Sequence, residues 1–505
     1  MNPMVEAYRL CDELPTRRTL DLETVLVAGA SGYIGGRLVP ELVARGYRVR
    51  VMVRSKVEAV SDRWSNCEVV VADALNPESL TAAMEGVHTV FYLIHSMLVG
   101  PKSFADADRS AARWVRESAE QQGVKRIIYL GGLGDKRVRL SPHLSSRMAV
   151  ADELALGSVP VTFLRAAIIL GSGSASYEMM NHLIRRLWVL PVPGWAKTRC
   201  QPIALRDVIK VLVGVLELPE TAGKIFDIGG PDILSYEELL KTHADVLGRR
   251  RKFIPSPLSS IPFFAMMTSW LTPVPAPITR CLMESVEHDV VCEGSDILEV
   301  LPFRRISCRE ALVLALSREE QDAVHSRWTD SYPPGYELAI KLSELSGVPT
   351  YTSTYSLVTE KSAEALFQSI SYIGGEKGWF NSTPLWRLRG LIDRMLQGVG
   401  TRRGRRSPTR LRVNDVVDFW RVEQVKRPNR LLLRAEMKLP GRAWLEFRVD
   451  PEDGVQRLRV HASYYTRGMG GRLYWYIFLP FHHFIFGDLI RGIEKRSEGL
   501  ADGRI

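Results

Sequence analysis

The sequence predicts an α/β protein in two parts: a doubly wound parallel sheet with a small substrate-side subdomain, followed by an α+β domain. Three observations lead to this fold class. The chain of 505 residues is too long for one ordinary domain. Its first half alternates short apolar strands with helical segments, which is typical of a parallel sheet covered on both faces. Its last third has strands of period 2, which is typical of an antiparallel sheet.

We expect a tail over residues 1–22, an N-terminal domain over 23–340 and a C-terminal domain over 350–505. The first residues carry acids where a signal peptide would have an apolar stretch. No segment reaches the roughly 18 apolar residues that cross a bilayer. A cytoplasmic protein is therefore expected, with peripheral attachment at a membrane as the alternative.

A glycine-rich loop follows the first strand. Gly29, Gly32 and Gly35 occur at the spacing G-x-x-G-x-x-G, directly before a helical segment. Glycines let the backbone turn sharply and approach a pyrophosphate, which binds where the N–H groups of a helix N-terminus point at it. Because the loop opens a strand–helix–strand unit, it predicts a nucleotide site. The predicted contact residues are Gly29, Ser31, Gly32, Tyr33, Ile34 and Gly35.

The second strand predicts which nucleotide is preferred. It ends in Arg54, Ser55 and Lys56 and has no acid at the position where an NAD-preferring site usually holds the ribose 2′-hydroxyl. A 2′-phosphate would be bound well by these residues. We therefore expect NADP(H) to be preferred, with NAD(H) as the alternative, and assign Arg54 and Ser55 as contacts. Arg48 and Arg50 are explained equally well by a solvated strand face.

Further strands are predicted at 67–73, 88–97, 125–134 and 159–171, and the first of them ends at Asp73. This order of elements resembles the short-chain dehydrogenase/reductase superfamily, in its extended or atypical branch. The resemblance covers roughly residues 23–340 and also rests on C-Q-P-I-A-L-R-D-V-I (200–209) and F-D-I-G-G-P-D-I-L-S-Y-E-E-L (226–239). It implies a Rossmann fold, an NAD(P) cofactor and a contact of Asp73 with the adenine. Some members of this branch are non-catalytic subunits of respiratory complex I.

The chain departs from this family at the catalytic positions. The family's Ser or Thr closes the fifth strand, where this chain has Gly131 and Gly132, and its Tyr-x-x-x-Lys is replaced by His143 and Arg147. Hydride delivery to a carbonyl needs a proton donor and a hydrogen bond to the developing oxyanion. Histidine can donate, but with a reference pKa near 6.5 only roughly a quarter is protonated at pH 7. His143 and Arg147 are therefore the candidate catalytic residues, with cofactor contact, for Arg147 above all, or a structural role as the alternative.

The C-terminal part is predicted as a strand at 351–359, helices at 362–370 and 385–396, several antiparallel strands and a long aromatic helix at 471–494. In the strands we expect one buried and one solvated face, and we place Arg434 and Glu436 on the solvated face. This order is similar to the helix-grip fold, in which the last helix lies across the sheet and encloses an apolar cavity. It also resembles an uncharacterised domain fused to bacterial atypical dehydrogenases. The resemblance implies a site for a hydrophobic small molecule or lipid, although the tryptophans are explained equally well by core packing.

The charge of the chain is concentrated in one segment. Nine arginines and one acid, Asp393, lie between residues 385 and 412, so this segment carries +8 of the net charge of +10. Such a cluster binds an anionic membrane surface or forms a solvated, ion-paired face. A nucleic-acid partner is not expected, because no nucleic-acid motif surrounds the cluster.

Two apolar segments, 261–271 and 473–486, are too short to span a bilayer. We expect both to be buried helices, with contact to a membrane surface as the alternative. The six cysteines are scattered without a C-x-x-C motif, and His482 and His483 lack carboxylates at useful spacing. Neither a disulfide framework nor a metal site is therefore expected.

Two functions remain open. The first is an NADPH-dependent oxidoreductase that acts on a hydrophobic carbonyl or quinone-like substrate, because a complete nucleotide loop is joined to a predicted apolar cavity. The second is a catalytically inactive NADP(H)-sensing or assembly protein that is associated with a membrane complex. It is suggested by the simultaneous replacement of the catalytic Ser, Tyr and Lys.

Overall fold

The computed structural model describes residues 10–18, 23–54, 64–94, 104–134, 141–294, 297–317 and 326–331, positions 342 and 345, and 348–501 except 397, 402, 404, 406, 408 and 467. The predicted nucleotide contact Ser55 and its neighbour Lys56 lie outside these residues. The chain divides into two compact units, Met1–Tyr332 and Pro333–Ile505, which are described separately. The domain bounds 23–340 and 350–505 stay predictions.

A parallel seven-stranded sheet forms the centre of the N-terminal unit, in the order β11-β6-β5-β4-β1-β2-β3. Its strands are β1 Thr24–Ala28, β2 Arg48–Val53, β3 Glu68–Val71, β4 Val87–Tyr92, β5 Arg126–Gly132, β6 Val161–Ala166 and β11 Ile225–Ile228. The strand order reverses between β1 and β4. This strand order and the parallel pairing confirm the predicted doubly wound fold for this unit. In such a sheet, ligands bind beyond the carboxyl ends of the strands at the point where the order reverses.

Helices cover both faces of this sheet. They are α1 Gly35–Ala44, α2 Pro77–Ala83, α3 Phe104–Gln121, α4 Pro142–Ala155 and α6 Leu205–Glu217. Successive residues of β1 are all buried and alternate between two apolar cores: Val25 and Val27 pack with residues of α1 and α6, and Leu26 packs with residues of α3. A strand buried on both faces has to be continuously apolar, which explains the uninterrupted run in the sequence.

The small subdomain is built from short strand pairs and helices. These are β7 Ile169–Leu170, β8 Val189–Val192, β9 Arg199–Cys200, β10 Ile203–Ala204, β12 Leu234–Ser235 and β13 Lys252–Pro255, with α5 Ala175–Arg186, α7 Tyr236–Val246, α8 Ile261–Leu271, α9 Ala276–Met283 and α10 Cys308–Leu316. The single strand predicted at 159–171 is wrong at its end. It is divided, because β7 leaves the large sheet and pairs with β10.

The C-terminal unit contains an antiparallel sheet in the order β14-β19-β18-β17-β16-β15. Its elements are β14 Tyr351–Thr359, α11 Ala363–Ser371, α12 Thr383–Met395, β15 Val416–Val417, β16 Trp420–Lys426, β17 Arg430–Ala435, β18 Arg442–Glu452, β19 Val455–Tyr465 and α13 Met469–Ala501. The order of elements agrees with the sequence prediction. The helix-grip assignment itself stays a prediction.

The expectation of one solvated strand face is wrong at Arg434 and Glu436. Both side chains are buried, and Glu436 is only 1% exposed. Its carboxylate is paired with Arg403 at 2.5 Å and with Arg421 at 2.5 Å. Charged residues in a period-2 pattern look solvated in the sequence, but here Arg403, from the loop after α12, and Arg421, from β16, supply the charge opposite to Glu436.

The expectation that both apolar segments are buried helices is wrong for one face of each. On α8, Phe264 is buried but Met266 and Trp270 are exposed. On α13, Phe486 is buried but Phe484 is 72% exposed. Within the described ranges, none of the helices combines the length and apolar character needed to cross a membrane.

Candidate functional site

The glycine loop between β1 and α1 forms a cradle made of backbone. Gly29 has φ +95°, a conformation that favours glycine, and a Cβ there would lie 2.8 Å from the carbonyl of Leu93, just beyond β4. A Cβ on Gly35 would lie 2.3 Å from the Gly29 oxygen. The loop therefore packs closely against the start of the helix and the end of the neighbouring strand, as a dinucleotide-binding turn requires.

The first turn of α1 is open to an anion. Its N-cap residue, Ile34, makes no side-chain capping hydrogen bond. The amide of Gly32 donates to the Gly29 oxygen at 3.0 Å, while Ser31, Gly32, Tyr33 and Ile34 are all half-buried. N–H groups at a helix start and the helix dipole favour a phosphate at this place. The structure thus brings the predicted loop residues together, and they fit the pyrophosphate of a dinucleotide.

Tyr33 is held by residues that sequence reasoning missed. Its hydroxyl donates to the backbone carbonyl oxygen of Ser172 at 3.3 Å, and the buried Arg37 donates to the same carbonyl oxygen at 2.7 Å. Ser326 donates to the Tyr33 carbonyl at 2.5 Å. Arg37 could have been noticed as one of two charges, with Glu41, in a mostly apolar helix. No local signal identifies Ser326, because it is 293 residues away from Tyr33.

Arg54 lies exposed beyond the carboxyl end of β2. Arg50 is engaged elsewhere, since its guanidinium donates to the carbonyls of Ala83 at 2.9 Å and Glu85 at 2.7 Å and pairs with Glu68 at 2.8 Å. Arg48 is exposed at the opposite end of the strand. Of these three arginines, Arg54 is therefore the one that is exposed at the edge of the sheet where the nucleotide loop lies.

Asp73 is exposed just beyond β3 and stabilises a local turn. Its Oδ1 accepts a hydrogen bond from the Leu75 amide at 3.0 Å. The following helix α2 is capped by Asn76, whose side chain accepts from the Ser79 amide. The predicted contact with the adenine stays a prediction, and the carboxylate has a structural partner of its own.

The carboxyl end of β5 offers no hydroxyl. A Cβ on Gly132 would lie 2.9 Å from Leu144 Cδ2, and one on Gly131 would lie 3.0 Å from the ring of Tyr129. Ser146 donates to Asp108 at 3.3 Å, and Ser145 is exposed. Leu144 and Tyr129 therefore take up the space that a side chain at the end of β5 would enter.

His143 and Arg147 lie on the first two turns of α4, one turn apart. Ser141 caps this helix by accepting from the Leu144 amide at 3.2 Å. His143 is half-buried, whereas Arg147 is 7% exposed. The Arg147 guanidinium donates to the carbonyl of Ile94 at 3.2 Å and to that of Leu130, and it lies 4.8 Å from the Tyr129 ring centroid. Arg147 thus joins the ends of β4 and β5, and a catalytic role for either residue stays a prediction.

The C-terminal unit contains an apolar cavity of about 220 Å³ between its sheet, α12 and α13. Large aromatic residues line much of it, among them Trp386, Trp420, Trp444, Tyr474 and Trp475. His482 also lines it, and burial lowers the pKa of this imidazole to about 4, so His482 is neutral at pH 7 and Arg389 is the charged residue of the wall.

The arginine-rich segment lies partly inside this unit. Arg405 donates to the carbonyls of Ile373 and Ser371, and Arg389 lies 3.8 Å from the buried Asp393. Burial alone would raise the pKa of Glu436, but the guanidinium groups of Arg421 and Arg403 outweigh it and lower this pKa to about 2. Much of the cluster's charge is therefore used within the fold, while Arg402 and Arg406 lie outside the described residues.

Comparisons with known proteins agree with the division of the chain into two units. A family model described as NAD(P)H-binding matches residues 29–157, and one described as a protein of unknown function (DUF2867) matches residues 345–489. Cinnamoyl-CoA reductase 1 from Oryza sativa subsp. japonica is 33% identical over 273 residues, which cover 45% of this chain and 77% of that relative. The chain belongs to the short-chain dehydrogenase/reductase superfamily. Its N-terminal unit is an atypical, NAD(P)H-binding member, as the sequence predicted.

Two further proteins are similar to part of this chain. The mitochondrial NADH dehydrogenase (ubiquinone) 1 alpha subcomplex subunit 9 from Arabidopsis thaliana is 25% identical over 240 residues, which cover 46% of this chain and 60% of that relative. The crystal structure of the Citrobacter sp. triphenylmethane reductase complexed with NADP(H) is 21% identical, covers 58% of this chain and 100% of its own, and has a TM-score of 0.48.

Proposed function

We propose that this protein is an NADP(H)-dependent oxidoreductase that acts on a hydrophobic carbonyl or quinone-like compound. The observation that carries the proposal is the cradle of Gly29 and Gly35, where only residues without a Cβ let the loop pack against the end of β4 and the start of α1, as a dinucleotide-binding turn requires. Arg54 supports NADP(H) over NAD(H), because an exposed guanidinium at this edge pairs with a 2′-phosphate. The apolar cavity of the C-terminal unit supports a hydrophobic substrate.

When bound, the nicotinamide would supply or accept the hydride. This chain would move the proton: His143, in the first turn of α4, would donate it to the carbonyl oxygen of the substrate. Arg147 would hold the ends of β4 and β5 together through its hydrogen bonds to the Ile94 and Leu130 carbonyls. Because the end of β5 offers no hydroxyl, His143 would also make the hydrogen bond that stabilises the oxyanion.

The nucleotide preference is tested by titrating NADPH and NADH into wild type, Arg54→Ala and Arg48→Ala. Wild type should prefer NADPH at least tenfold, about 1.4 kcal/mol. Arg54→Ala should lose this preference while its NADH affinity is unchanged. Arg48→Ala, which removes an exposed cation from the opposite end of the same strand, should behave as wild type. Equal wild-type affinities for the two nucleotides would contradict the preference.

The reaction is tested by following NADPH oxidation with a panel of hydrophobic ketones, enones and quinones. His143→Phe should abolish turnover and keep NADPH affinity. If wild type binds NADPH but oxidises it with no member of the panel, the oxidoreductase proposal fails.

A second candidate function is an NADP(H)-sensing or assembly protein without turnover. It is favoured by Arg147, since two of the guanidinium's hydrogen bonds go to backbone carbonyls, and by the missing hydroxyl at the end of β5. It predicts tight NADPH binding that is independent of any carbonyl compound. Turnover that disappears in His143→Phe would exclude it.

A further inference from the structure

Two helices of the C-terminal unit carry large apolar side chains that are exposed. Their spacing of three or four residues, with some adjacent pairs, places each set on one side of its helix. We call these residues the apolar rim: Leu385, Leu388, Leu391, Ile392 and Met395 on α12, and Met469, Leu473, Tyr476, Ile477, Phe481 and Phe484 on α13. Leu473 is 62% exposed and Phe484 is 72% exposed. Contiguous apolar surface of this kind marks an interaction site.

The apolar rim is continuous with the cavity of about 220 Å³. Four of its members belong both to the exposed surface and to the cavity wall: Leu385, Leu388, Ile392 and Phe481. The cavity therefore opens between α12 and α13, and its mouth is bordered by apolar side chains. A molecule that enters the cavity from this side crosses an apolar border.

The exposed charges that flank the rim on α12, on α13 up to residue 487 and just beyond β17 are cations. Arg387 on α12 and Arg472 on α13 are exposed, as is Lys438 beyond β17. The acid of α12, Asp393, is fully buried and accepts hydrogen bonds from the amides of Lys438 and Gly400. The chain has no acid between residues 469 and 487. Exposed apolar side chains with flanking cations and no exposed acids are complementary to an anionic lipid surface.

We propose that the apolar rim docks on an anionic lipid bilayer, so that the mouth of the cavity faces the acyl chains. Its apolar residues enter the boundary between headgroups and acyl chains, while Arg387, Arg472 and Lys438 pair with anionic headgroups. A second copy of the same face is a poorer partner, because it would bring these cations against one another. This inference extends the proposed function, since a membrane would be the source of the hydrophobic compound.

The test is flotation of the full chain with vesicles of phosphatidylcholine alone and of phosphatidylcholine mixed with phosphatidylglycerol. Wild type should bind the anionic vesicles at least tenfold more strongly, and salt should reduce this difference. Phe484→Asp and Leu473→Asp should each lower binding to anionic vesicles at least tenfold. Arg387→Glu should lower binding to the anionic vesicles only. The matched control is Leu156→Asp, since Leu156 is also 72% exposed but lies in the N-terminal unit.

Three results would overturn the proposal: no binding of wild type to either vesicle, an equal loss in Leu156→Asp and Phe484→Asp, or a dimer in light scattering that Phe484→Asp dissociates while vesicles are not bound. Thermal unfolding shows whether each variant is folded. NADPH affinity is measured without vesicles on the same variants and should be unchanged. Failure of docking is thereby distinguished from failure of the proposed nucleotide-dependent function.

Discussion

The two units build their candidate sites in opposite ways. In the N-terminal unit the site is made of backbone, and its loop residues lie within positions 29–35. In the C-terminal unit the cavity is made of side chains from α12, several strands and α13, which extend from Leu385 to Phe486. A backbone site depends on where glycine occurs, and the positions of glycine can be read in the sequence. A side-chain cavity depends on how distant residues pack, which the local sequence pattern does not show.

The largest expected effect on nucleotide affinity concerns the backbone cradle. A Cβ in Gly35→Ala would lie 2.3 Å from the Gly29 oxygen and 2.8 Å from Ala30 Cα, so the loop must move. We expect at least a hundredfold loss of NADPH affinity, about 2.7 kcal/mol, in titration calorimetry. Gly194→Ala is the control, because its nearest heavy atom would be 3.7 Å away. Wild-type affinity in Gly35→Ala would show that the nucleotide does not bind at this cradle.

The C-terminal unit should respond most strongly to loss of a buried charge. Glu436→Gln leaves the buried guanidinium groups of Arg403 and Arg421 without their carboxylate. Breaking a buried ion pair costs about 3–5 kcal/mol, which urea unfolding measures. Glu452→Gln is the control, since its pair with Arg457 is partly exposed on both sides. Equal losses in the two variants would refute the internal role of this cluster.

The variant Arg147→Met tests whether this side chain stabilises the strand ends in the N-terminal unit. Arg147→Met leaves the carbonyls of Ile94 and Leu130 without this donor, and we expect unfolding to become easier by about 2 kcal/mol. Arg113→Met on α3 removes a more exposed guanidinium, 54% accessible, and should change stability little. Unchanged stability in Arg147→Met together with lost turnover would instead assign Arg147 to the chemistry.

The most gradual expected effect is the pH dependence that His482 gives to the stability of the C-terminal unit. Burial lowers the pKa of His482 from 6.5 to about 4, so the unfolded chain takes up this proton more readily than the folded one. The contribution of His482 to the free energy of unfolding is therefore fully present above about pH 6.5. It is lost as the pH drops towards 4, by about 1 kcal/mol per pH unit. His482→Leu should reduce this slope in urea unfolding, and His483→Leu, at an exposed neighbour, should keep it. Equal slopes in wild type and His482→Leu would contradict the burial of a neutral imidazole.

Sequence reasoning succeeded where local chemistry decides the structure. The glycine loop, the order of the strands and the strand at 351–359 all agree with the structure. It failed where residues distant in the chain decide burial. Glu436 was predicted to be solvated because its partner Arg403 lies 33 residues away and is not visible in the local pattern. Helices α8 and α13 were predicted to be buried because both are apolar, but only one side of each is covered.

By itself, the sequence determined the doubly wound fold and the nucleotide cradle, because each follows from residue types at fixed local spacing. Only the tertiary structure decided that Arg147 joins two strand ends, that much of the arginine segment is internal, and that the aromatic residues enclose a cavity with an exposed apolar mouth. These features depend on contacts between residues far apart in the chain. Their free energy comes from burial and charge pairing, which composition and periodicity do not encode.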